Sequence, residues 1–127
     1  MTIEAKIPAW LRDLMIPSAA FEGPDSGKVL VDVAANREGF FNVVLGIFPR
    51  SPEEAAELMN LLRELKYDLE DEDVEMDGPN FRGADDPDAE DVWIEIEVMG
   101  EPAVVRLALT LAVGLLAARG FEFVRWE

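Results

Sequence analysis

Phe40 to Leu69, FFNVVLGIFPRSPEEAAELMNLLRELKYDL, contains the change of period that decides the fold. Its first part alternates Phe41, Val43, Leu45 and Ile47 with Phe40, Asn42, Val44, Gly46 and Phe48. That two-residue repeat is a strand, and because both of its faces are largely apolar the strand is predicted to be central. The period changes at Ser51-Pro52-Glu53-Glu54. Here the Ser51 hydroxyl is placed to accept from the Glu54 amide, the Glu54 carboxylate to accept from the Ser51 N–H, and Pro52 to fill the first helical position. Ala55, Leu58, Leu62, Leu65 and Leu69 then recur at intervals of three and four, giving a helix with one buried stripe that Met59 and Leu61 broaden.

Upstream, Val29, Val31 and Val33 alternate with Leu30, Asp32 and Ala34, a second strand with unequal faces. The turn at Asn36–Gly39 makes it the hairpin partner of the first. Before it lie a turn-rich stretch, Gly23-Pro24-Asp25-Ser26-Gly27, and a short helix over Ile7–Pro17 whose apolar side carries Trp10, Leu11, Leu14 and Met15.

Downstream, Asp68 to Asp91 holds twelve acids and one base, Arg82, so −11 of the formal −16 charge falls in 24 residues. Within it Val74-Glu75-Met76 reads as a short edge strand, and Gly78-Pro79-Asn80 and Gly83–Asp88 as exposed turns. Val92, Ile94, Ile96 and Val98 alternate with Trp93, Glu95, Glu97 and Met99, an amphipathic strand. A helix begins at Glu101-Pro102 and ends near Gly120. Its charge-free run, Leu107 to Ala118, would rise only about 18 Å, too short to span a bilayer. The helix is apolar around most of its circumference, with Arg106, Thr110, Gly114 and Ala117 as a narrow strip, and so requires cover beyond one sheet face. Phe121, Phe123 and Val124 make a last strand, with Trp126 almost at its end.

From Phe40 onward the order is β-α-β-β-α-β. It predicts an α+β, ferredoxin-like or related two-layer sandwich: an antiparallel or mixed sheet, two main helices, an extra N-terminal hairpin strand and a short N-terminal helix. One domain is expected over residues 1–127, with residues 1–27 as a helix-and-loop appendage and residues 78–91 as an acidic loop. The order also resembles the α/β layout of small acidic secretion chaperones, a resemblance of layout alone.

Composition narrows the chemistry. The chain has 127 residues, 27 Asp plus Glu against 11 Lys plus Arg, and no His or Cys. Half of it is hydrophobic, enough to fold. Without His or Cys the ordinary catalytic triads, a histidine base and imidazole or thiolate zinc sites are excluded. Asp73-x-Glu75-x-Asp77-Gly78 resembles the first half of a calcium loop, but the twelfth position falls on Ala84, where a bidentate carboxylate is needed. A loose divalent-ion contact from Asp85, Asp86, Asp88, Glu90 or Asp91 is the weaker possibility left. The stretch Gly23–Val29 has three residues between its glycines and Val29 after Lys28, which does not make a phosphate loop. No cofactor is expected, and direct nucleic-acid binding is disfavoured by repulsion of phosphates.

What remains is surface: concentrated carboxylates, excess apolar helix circumference, and tryptophans able to anchor an interface. The leading expectation is a non-catalytic acidic interaction module, an inhibitor, immunity-type factor or adaptor for a basic protein partner, in the cytoplasm. Trp10 and Trp93 are the candidate anchors, and Asp71, Glu72, Asp73, Glu75, Asp85, Asp86, Asp88 and Asp91 the electrostatic patch. The alternatives are a small secretion or assembly chaperone that holds a client along apolar strand faces and Leu107–Leu116, and a carboxylate-dependent enzyme using Glu95 and Glu97. A homodimer through the 103–118 helix is a further expectation.

Overall fold

In the computed structural model, which describes residues 21, 23–35, 41–70, 74–82 and 92–125, the two kinds of apolar repeat become strands and helices where the sequence places them. The described elements are β1 (Lys28–Ala35), β2 (Phe41–Ile47), α1 (Pro52–Asp68), β3 (Val74–Arg82), β4 (Trp93–Gly100), α2 (Pro102–Ala117) and β5 (Glu122–Arg125). The helix expected at Ile7–Pro17, the turn at Asn36–Gly39 and Trp126 lie outside the described residues.

The strands form one mixed sheet in the order β3-β4-β2-β1-β5. Neighbours run antiparallel except β1 and β5, which are parallel, with Val29 beside Phe123. β2 is central, as its two apolar faces require. The hairpin partner β1 is not an outlying addition: it pairs with β2 from Val29 opposite Ile47 to Ala35 opposite Phe41, and separates β2 from β5.

One face of the sheet carries the core. Val29, Val43, Leu45, Ile47, Met76, Ile94, Ile96 and Val98 are buried there against Ala55, Leu58, Met59, Leu62 and Leu65 of α1 and Val105, Ala108, Ala112 and Leu116 of α2. Two of α2's four buried residues are alanines, which lets its backbone approach the strands closely. Two helices, each about 10 Å across, cover roughly four strands at about 4.8 Å spacing. The sheet has five. The deficit is visible at β1, where Val29 is buried but Val33, on the same face two residues beyond Val31, is 60% exposed.

The β2–α1 junction departs from the expected capping box in one hydrogen bond. Ser51 Oγ accepts from the Glu54 amide at 3.1 Å as expected. The Glu54 carboxylate accepts from the N–H of Arg50, at 2.8 Å, instead of that of Ser51. The reason is the Arg50 side chain, whose Nε and Nη2 grip both Glu54 oxygens at 3.0 and 2.8 Å and draw the carboxylate one residue back. The same guanidinium donates to the Arg119 carbonyl at 2.7 Å and lies 4.7 Å from the centre of the Phe121 ring. Donating to the Glu54 carboxylate raises the pKa of Arg50, outweighing its slight desolvation. Arg119 in turn pairs with Glu57 of α1. One arginine thus ties the start of α1 to the end of α2.

β3 is longer than its apolar residues suggest. The turn expected at Gly78-Pro79-Asn80 is a bulge within the strand, so residues 78–82 of the expected acidic loop are strand and the rest of that loop lies outside the described residues. The register moves from Asp77 opposite Glu97 to Asn80 opposite Glu95, which sets Gly78 and Pro79 against the single residue Ile96. Pro79 is tolerated because a bulge on an outer strand asks no N–H of it. Gly78 is required: its φ is +100°, and a Cβ there would sit 2.6 Å from the Glu95 carbonyl oxygen. Gly78→Ala is therefore expected to destabilise the fold by about 2 kcal/mol or more, measured as a lower urea midpoint at an unchanged slope.

Candidate functional site

Strand pleating puts alternate residues of β3 and β4 on the sheet face opposite the helices. Burial of Met76, Ile94, Ile96 and Val98 toward the helices leaves Glu75, Asp77, Glu95 and Glu97 on the other side. Asp77 stands directly opposite Glu97, and two strands further along the same row is Asp32 of β1, across Val44. Past the bulge Asn80 faces Glu95, and Arg82 faces Trp93. The outer face at β3–β4 thus holds four carboxylates and one cation.

Arg82 is committed within this group. Its Nη2 reaches Glu95 Oε2 at 3.4 Å, a long and largely solvated pair worth little on its own. The ion pairs among the described residues include none to Asp77 or Glu97. Like charges directly opposite on antiparallel strands repel at a Cβ separation of about 5 Å, so the fold tolerates this row at some cost in stability. Among the described residues no three possible metal ligands converge closely enough to hold an ion. Glu75 and Asp77, read in the sequence as part of a half calcium loop, are consecutive outward residues of a strand and do not curl around a common centre.

Trp93 belongs to the same outer face. It is half-buried and stacks on Phe48 with ring centres 5.9 Å apart. Its indole N–H is shielded from solvent and has no hydrogen-bond partner among the described residues. Of the residues expected to form an interaction site, Glu75 and Trp93 are therefore on one face, beside Asp77, Glu95 and Glu97. Trp10, Asp71, Glu72, Asp73, Asp85, Asp86, Asp88 and Asp91 lie outside the described residues.

A second surface lies on the helix side. Where the helices fail to cover the sheet, Val33, Phe41, Val43, Pro102, Val105, Leu109 and Val113 line an open groove of about 550 Å³, with Arg106 and Thr110 on its helical wall. Sequence reasoning placed Val33 and Phe41 in strands but had no means of assigning them to a groove, since that depends on β1 lying beside β2 and beyond the reach of α2. The strip of small and polar residues on α2 is where it was expected, with Arg106, Thr110, Gly114 and Ala117 all exposed.

Relieving the repulsion at the centre of the acidic face tests its geometry. Asp77→Asn is expected to stabilise the protein by about 0.5 kcal/mol at low ionic strength, a gain that shrinks as salt screens the pair. Urea unfolding at two salt concentrations measures both effects. No family model, no curated protein and no solved structure matches this chain.

Proposed function

We propose that the chain is a non-catalytic, acidic protein-interaction module that offers the outer face of its sheet to a basic protein, as an inhibitor, immunity-type factor or adaptor does. The observation that carries the reading is the facing pair Asp77 and Glu97, flanked by Glu75 and Glu95 and held on neighbouring strands, with no ion pair to either member among the described residues. Such a row weakens the isolated fold and gains only when cations are brought to it from outside. The −16 charge supplies long-range attraction for a basic partner. Trp93, half-buried at the margin of the row, supplies apolar area. The succession β-α-β-β-α-β from β2 onward and the strand order β3-β4-β2 support reading the scaffold as a ferredoxin-like sandwich in which β1 is inserted before the last strand.

The groove favours a second reading, a secretion or assembly chaperone that lays an extended apolar client between α2 and β1–β2. Hydrogen exchange separates the two. A basic partner protects β3 and β4 through their outer face, whereas a client protects α2 and β1.

A lysine-rich peptide titrated by calorimetry across a salt series tests the electrostatic reading. Combining Glu75→Gln, Asp77→Asn and Glu97→Gln is expected to weaken binding about tenfold and flatten its salt dependence. Combining Glu64→Gln, Asp68→Asn and Glu70→Gln, which removes the same charge from exposed positions on and just after α1, is expected to change it less than about twofold. Equal losses from the two triples would mean that net charge alone acts and that the sheet face is not a site.

A further inference from the structure

The outward side of α2 is a described surface on which this acidic protein sets out large apolar residues in a row. Leu107 and Leu111 are 44% and 45% exposed, and Val113 is 36% exposed. Ala103, Thr110, Gly114, Ala117 and Ala118 are exposed between and beyond them. A Cβ added at Gly114 would meet nothing within 4 Å. Arg106 is the single charged residue of the helix.

We infer that a second copy of this chain covers this side, α2 against α2, antiparallel about a two-fold axis passing between Thr110 and Leu111. Two features favour that occupant. The first is shape. In this arrangement Leu107 of each copy faces Gly114 of the other, a large-on-small contact that the two-fold axis makes twice, and Ala103 faces Ala118, small on small. The second is charge. Two molecules of −16 repel wherever carboxylates face each other, and α2 contributes none to the seam. The antiparallel pairing also sets opposed helix dipoles side by side, the start of one α2 beside the end of the other.

Area limits the strength of the pairing. A helix of this length offers on the order of 500 Å² of outward surface, below the ~800 Å² per partner of a standard interface. Val113 and Phe41 extend the patch toward the groove. The size fits a reversible dimer with a dissociation constant in the micromolar range, in which the sheet's acidic face points away from the axis and stays free.

Sedimentation equilibrium of the full chain, from low to high micromolar, is expected to show a concentration-dependent monomer–dimer equilibrium. Gly114→Leu fills the hollow that Leu107 enters and, standing in open space, leaves the monomer folded by circular dichroism. It should weaken self-association about tenfold or more. Adding Leu107→Ala to Gly114→Leu exchanges the large and small members of the contact and should restore most of the dimer, an outcome that a general loss of stability would not give. A wild-type chain that stays monomeric throughout the range overturns the inference and leaves the face to another segment or another protein. So does a dimer whose strength is the same with Gly114→Leu.

Discussion

The two described helices cannot cover five strands, and much of the surface character of the described residues follows from that shortfall. A helix is about 10 Å across and a strand takes up about 4.8 Å, so α1 and α2 serve the β3-β4-β2 part of the sheet and leave the β1 side underfilled. β1, lying between β2 and β5, gives the sheet its fifth strand. It buries Val29 completely, yet strands Val33 beside a groove that α2 borders without closing. The apolar surface of α2 belongs to the same geometry, since among the described residues this helix has one side on the sheet, another toward its companion helix and a third on neither.

The two faces of the sheet consequently do different work. The helix side is almost wholly apolar, and its buried set contains no polar or charged residue among those described. The outer side is dominated at β3 and β4 by carboxylates. A single alternation produces both, because every residue of β4 that points inward is Ile or Val while Glu95 and Glu97 point out. A hydrophobic core and an electrostatic surface are written in the same eight residues, one position apart.

Much of this was legible in the sequence. The Ser51 cap, the leucine stripe of α1 and the alternations of β2 and β4 each depend on residues within a few positions of one another, and each appears where the local pattern puts it. The extension of β3 was not legible, because Gly78-Pro79 has the composition of a turn and only the pairing with Glu95 and Glu97 converts it into a bulge. The exchange of Ser51 for Arg50 as the donor to Glu54 was hidden for a related reason. It requires the Arg119 carbonyl and the Phe121 ring, nearly seventy residues away, to hold the guanidinium in place. For the site, Glu95 and Glu97 were visible as a same-face pair. Asp77 joined them only through a register between strands that no local period encodes.

The bulge at Gly78 and Pro79 matters for how the molecule behaves in company. β3 is the last strand on its side of the sheet, and the exposed rim of any sheet is a template on which another chain can add a strand of its own. Here that rim is bent midway, lacks an N–H at Pro79 and carries Glu75 and Asp77. An incoming strand would find its ladder interrupted and its approach opposed by charge. Backbone pairing is thereby disfavoured along the β3 border, which leaves its side chains as the part of that border open to contact.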